Sequence, residues 1–129
     1  MPTPASQPGR TASRALVLRL RALCLALPET TERSSWGHPN FRAGRRTFAA
    51  FEIVGGRPSI AFRLPPGRVD ELVRGGNFFV TPYGRGLWAS MWVDQRVNWT
   101  LVERLLRESY RVVALERMLA LLDAPARDT

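Results

Sequence analysis

Apolar residues recur at helical spacing over 13–27. At 100° per residue, Leu16, Leu20, Leu23 and Leu27 fall within about 60° of one another, with Val17 and Cys24 alongside. This predicts a helix capped by Thr11 or Ser13 and stopped by Pro28, burying that stripe. Leu18 and Leu25 lie on the opposite side beside Arg14 and Arg21, as a second contact face or as ordinary exposed leucines. The period then changes. Residues 28–46 read as a loop with short extended pieces, bent at Pro39 and turned at Ala43-Gly44-Arg45. TFAAFEIV (47–54) and SIAFRL (59–64) are β-prone runs joined by Gly55-Gly56, which predicts a hairpin. In the second run Ile60, Phe62 and Leu64 share one face, and Ser59, Ala61 and Arg63 share the other, so Arg63 belongs to a sheet surface.

Pro65-Pro66-Gly67 opens a short helix with Asp70 and Glu71 in its first turn, where the helix dipole favours acids, and Gly75-Gly76 ends it. Residues 77–86 read as a strand and turn. In 87–93 Leu87, Ala89, Met91 and Val93 alternate with Trp88, Ser90 and Trp92, so both faces are apolar, as in an interior strand or one carrying an aromatic platform. Asn98 caps a helix in which Trp99, Val102, Leu106, Ser109 and Val113 form the buried stripe. Residues 115–122 continue that helix or form a separate one. Helix, strands, helix, strands and helix, with short hairpin loops, predict an α+β fold on an antiparallel sheet. The expected organisation is a disordered tail over 1–12, a single domain over 13–123 and a tail over 124–129.

Charge adds a direction. The chain has 129 residues with net charge +8, and all 19 basic residues are arginine, an Arg-for-Lys choice that fits codon usage in a GC-rich genome. The excess is uneven: residues 1–64 carry 10 Arg against 3 Glu, giving +7, whereas 65–129 carry 9 Arg against 8 acids, giving +1. Segregated positive charge points to an anionic partner, nucleic acid first. No apolar run approaches the ~20 residues needed to span a bilayer, so no membrane role is expected. Residues 1–12 lack the apolar segment of a secretory signal. The single Cys24 cannot form an internal disulfide, in keeping with a reducing, cytoplasmic setting.

The residues argue against catalysis. No nucleophile-elbow motif is present, and His38 is the only histidine, with no acid or nucleophile placed to converge on it. It reads as a hydrogen-bonding residue of the loop bent at Pro39. One Cys and one His cannot supply a metal site, and the Gly-Gly pairs lack phosphate-loop spacing, so neither metal nor cofactor is expected. Anion binding remains. Residues 33–63 hold Arg33, Arg42, Arg45, Arg46, Arg57 and Arg63 against Glu52 alone, giving +5, and several sit at turns. A guanidinium suits bidentate phosphate contact. The alternative is an ordinary solvated surface. Trp36 and Phe41 are interleaved aromatics that belong to the core or stack on unpaired bases. Arg104, Arg107 and Arg111 make a second basic stripe, offset by Glu103 and Glu108.

LPETTERSSWGHPNFR (27–42), RRTFAAFE (45–52), SIAFRLPPGRVDELV (59–73), the run ending LWASMWV (77–93) and LRESYRVV (106–113) occur in the order found in the MmcQ/YjbR family of small bacterial proteins. The chain resembles that family over residues of about 15–114; the most specific pieces are Trp36-Gly37-His38-Pro39 with Phe41, and Ser109-Tyr110. The resemblance implies an α-β(3)-α-β(2)-α domain similar to secretion chaperones, and DNA binding by a double-wing, basic surface. The expected function is therefore non-enzymatic nucleic-acid binding, to DNA first, through phosphate contacts from the six arginines. The alternative is a protein-interaction module in which the sheet, Leu18 and Leu25 form a homodimer or client surface. A third reading is a small-ligand pocket around Trp36, His38, Trp88 and Tyr110.

Overall fold

A computed structural model describes residues 8–35 and 37–124, without the side chains of 8–12 and Ser35. The elements are α1 (Pro8–Leu25), β1 (Thr30–Ser35), β2 (His38–Ala43), β3 (Arg46–Val54), β4 (Arg57–Arg63), α2 (Arg68–Arg74), β5 (Phe78–Val80), β6 (Trp88–Trp92), α3 (Trp99–Val113) and α4 (Glu116–Asp123). All six strands join one antiparallel sheet in the order β1-β2-β3-β4-β6-β5, and the fold is α+β.

Several boundaries differ from expectation. Helix α1 starts at Pro8, a residue suited to a first helical turn, so Thr11 and Ser13 lie inside the helix instead of capping it. Positions 1–7 and 125–129 of the expected tails lie outside the described residues. The expected loop over 28–46 forms β1 and β2, paired from Thr30↔Ala43 to Ser35↔His38. The run TTERSS has no apolar alternation, so β1 owes its strand form to pairing with β2 at a sheet edge. Four strands therefore precede α2, where the resemblance implies three. After Val113 the chain extends at Ala114 and Leu115, and α4 is a separate helix.

Register sorts the side chains. Phe41, Ala49, Phe51, Ile60, Phe62, Ala89 and Met91 share the face on which α3 crosses β3 and β4, with α1 beside β1 and α2 beside β5 and β6. Leu20 and Cys24 of α1, Val69 of α2, Leu105, Leu106 and Tyr110 of α3, and Met118 of α4 complete this core. A β-bulge adds to it. Phe41 pairs with Ala49 but Arg42 pairs with Thr47, leaving Phe48 as the extra residue. Phe48 and Ala49 therefore both enter the core, where Phe48 meets Tyr110 edge-on at 5.6 Å between ring centres. Gly44, at φ +65, makes the β2–β3 turn that carries Arg45 and Arg46, and the Met118 side chain lies against it.

Candidate nucleic-acid interface

The helices pack on one side only. Across the middle of the opposite face, the register aligns Arg33, Asn40, Ala50, Ala61, Ser90 and Phe79. Arg42, Thr47, Arg63 and Trp88 stand on one side of this row; His38, Glu52, Ser59 and Trp92 stand on the other. Alternation placed Ser59, Ala61 and Arg63 here correctly. Ser59 and Ala61 are nonetheless buried, because small residues sit low between large neighbours. Part of the cover is the connection from β5 to β6. Thr81 and Ser90 share a hydroxyl hydrogen bond of 2.8 Å, and the Tyr83 hydroxyl donates to Glu52. Gly84 permits this close approach, since a Cβ there would stand 2.6 Å from Cβ of Trp88.

The charged groups divide between the two sides. Around the helices, Arg21 pairs with Glu32, Arg68 with Glu108, Arg111 with Asp123 and Arg117 with Glu29. Glu108 thus bonds Arg68 of α2, leaving Arg104 and Arg107 on the α3 stripe without an ion pair among the described residues. Of the six candidate arginines only Arg57 has a carboxylate partner among the described residues, Asp94, and its guanidinium also lies 3.8 Å above the Trp92 ring. Trp92 in turn stacks on Phe79 at 4.4 Å, so Arg57 is held in a stack at the hairpin end. Arg33 is exposed on β1, Arg45 and Arg46 are exposed at the β2–β3 turn, and Arg42 and Arg63 are half-buried on the face. The Arg42 Nε is shielded from solvent and has no hydrogen-bond partner among the described residues. Arg63 donates 2.6 Å to the Leu64 carbonyl; burial first, and then the nearby Arg46, hold its guanidinium below the ordinary arginine value.

A cavity of about 320 Å³ opens on this face. Ala50 lies between its polar groups His38, Asn40, Thr47 and Glu52, and Tyr83 and Trp88 complete the lining. Two of the expected pocket residues, His38 and Trp88, therefore meet. His38 opens β2 and faces the cavity, in place of bracing a bent loop. Tyr110 does not join them, which corrects the expected grouping. It is fully buried on the helical side, and its hydroxyl donates 2.7 Å to the Pro28 carbonyl. Phe41 likewise is core. Trp36 lies outside the described residues. The cavity's Asn40, Thr47, Glu52 and Tyr83 had no sequence signal, since strand register and a loop 31 residues from Glu52 bring them together. Among the described residues no three His, Cys, Asp or Glu side chains gather as metal ligands. No described helix is long and apolar enough to cross a membrane.

Helices on one face and a basic, partly aromatic surface on the other define a small α+β domain in which no described helix covers the second face. The YjbR family model matches residues 25–112, and the chain belongs to the YjbR family. The fold is similar to that of DR2400 from Deinococcus radiodurans, whose domain is DUF419, with TM-score 0.68 and 22% identity over 84% of this chain and 88% of that one. A protein from Pseudomonas syringae aligns with TM-score 0.57 and 14% identity over 67% of this chain and 88% of its own. No curated protein matches.

Proposed function

We propose that this protein is a non-enzymatic, cytoplasmic nucleic-acid-binding domain, with DNA the first candidate, whose uncovered sheet face and β2–β3 turn contact phosphates. The observation that supports this best is the run of Arg33, Arg42, Arg45, Arg46 and Arg63 along this face and turn: among the described residues none has an ion pair with a carboxylate, so like charges repel there. A phosphate relieves that repulsion and accepts from the half-exposed guanidinium of Arg42, which has no ion pair among the described residues. Arg57, already paired and stacked, contributes less. The test is binding of duplex and single-stranded DNA at several salt concentrations by the wild type and by Arg42→Ala/Arg45→Ala/Arg46→Ala. Three lost phosphate contacts flatten the log–log salt slope by about 2.7, equivalent to roughly 40-fold of the affinity change between 50 and 200 mM salt. Arg14→Ala/Arg74→Ala/Arg104→Ala removes the same charge from the helices, and an equal loss there sinks the localised interface.

One observation favours a second reading, a protein-interaction module. An open groove of about 1000 Å³ runs between α1 and the strand ends, lined in part by Val17, Leu18, Phe51, Ile53 and Pro58, with Leu18 53% exposed. A monomer at high concentration that retains no protein partner counts against it.

A further inference from the structure

The cavity beside Tyr83 and Trp88 lies next to the arginines but differs from them in chemistry. We propose that it takes one unpaired guanine base, from a free nucleotide or from a single strand, with Glu52 reading the base-pairing edge; the single-strand case rests on the nucleic-acid function proposed above. At about 320 Å³ the cavity is at the small end of ligand sites. Trp88 and Tyr83 supply the aromatic surfaces on which splayed-out bases stack. Ala50 leaves the space between the polar groups open.

Glu52 decides the base. It is the only acid carried by the strands on this face, among the described residues. Its carboxylate only accepts hydrogen bonds, and Tyr83 engages one of its two oxygens. Guanine presents two adjacent donors, N1–H and the 2-amino group, to such an acceptor. Adenine and cytosine place a ring-nitrogen acceptor beside their single amino group, and thymine flanks its one N–H with two carbonyls, so each sets a lone pair against the carboxylate. Phosphate is repelled by Glu52 and favoured at the rim, where the half-exposed Arg42 lies opposite Thr47 in the strand register.

Fluorescence anisotropy with the full chain tests this. The probes are a labelled oligothymidylate and the same strand carrying one central guanine, or one central hypoxanthine, which lacks the 2-amino group. Wild type is expected to bind the guanine strand about 10-fold tighter than the thymine strand, a size typical of one bidentate base contact, with most of the gain lost for hypoxanthine. In Glu52→Gln the guanine-to-thymine ratio falls to about one, with circular dichroism confirming the fold. Equal binding of guanine and thymine strands by wild type overturns the guanine site, while salt-dependent binding lost in the arginine triple still supports the phosphate interface. A ratio of one in Tyr83→Phe as well shows that Glu52 only anchors Tyr83, and overturns direct reading. If no strand binds, a thermal shift with guanosine monophosphate that is absent in Glu52→Gln supports the free-nucleotide source and removes the nucleic-acid function. No shift there removes both.

Discussion

The two faces of the sheet are built from the same strands, yet they are closed by different means. On the helical face, Phe48, Phe62, Leu105 and Tyr110 exclude water by packing, and the charges around it are matched in pairs such as Arg21–Glu32 and Arg68–Glu108. On the other face, alanines and serines lie low, aromatic rings and one loop give partial cover, and among the described residues Arg42 and Arg63 have no carboxylate partner, whereas Arg57 has Asp94. Packing fixes the first face without a partner. The second holds Arg42 and Arg63 half-buried without an ion pair among the described residues, and burial first, then Arg46, disfavours the charge on Arg63. In a small domain, that contrast separates the surface that makes the fold from the surface we propose for binding.

The contrast breaks most severely at the bulge. Phe48→Ala removes the ring that meets Tyr110 and is expected to cost about 3–5 kcal/mol of stability in chemical denaturation. A cost near zero would mean that the helical face is not what holds the sheet. The arginine triple should do the reverse: it weakens DNA binding as calculated above, while each surface change shifts stability by no more than about 0.5 kcal/mol. Between these lies Gly84→Ala. Its Cβ meets Cβ of Trp88, so the 81–87 connection must shift, at an expected cost of about 1–3 kcal/mol with altered tryptophan fluorescence. Unchanged fluorescence would detach that loop from the cavity wall.

The smallest effect concerns pH. The Arg21 hydrogen bonds hold the Glu32 carboxyl below its ordinary 4.5, so its folded value lies under its unfolded one. Stability from the pair is fully present above about 4.5 and fades as pH falls through the lower folded value. The groups are part-exposed, so screening limits the pair to about 0.2–1 kcal/mol. Arg21→Ala should therefore lower stability slightly at pH 7 and flatten its acid decline; an unchanged decline would assign it to other carboxylates.

Much of the candidate site was readable in part. Alternation in 59–64 put Arg63 on a surface, and alternation in 87–93 put Trp88 and Trp92 together on one face. Clustering of arginine in 33–63 singled out side chains that lie on β1 to β4 and the β2–β3 turn, exposed or half-buried. It did not separate Arg57, which Asp94 neutralises from 37 residues away, from Arg42 and Arg63, which have no carboxylate partner among the described residues. Nor could it show that Tyr110 and Trp88 lie on opposite sides of the sheet.

What the sequence determines by itself is what a short window encodes. Helical stripes such as Leu20 and Cys24, the Gly-Gly turn between β3 and β4, the Asn98 cap and the α+β class follow from periodicity and local backbone preference, whereas Leu27 is buried from the turn after α1. Tertiary structure alone decides what depends on a distant partner. The polar run of β1 becomes a strand because β2 offers it hydrogen bonds. The bulge at Phe48 puts two consecutive residues into the core. Glu29 meets Arg117 across 88 residues, and Tyr83 reaches Glu52 across 31. Local pattern reports how often a residue faces the core. It carries no information about which residues, brought close by pairing and packing, will satisfy a charge or leave it free for a ligand.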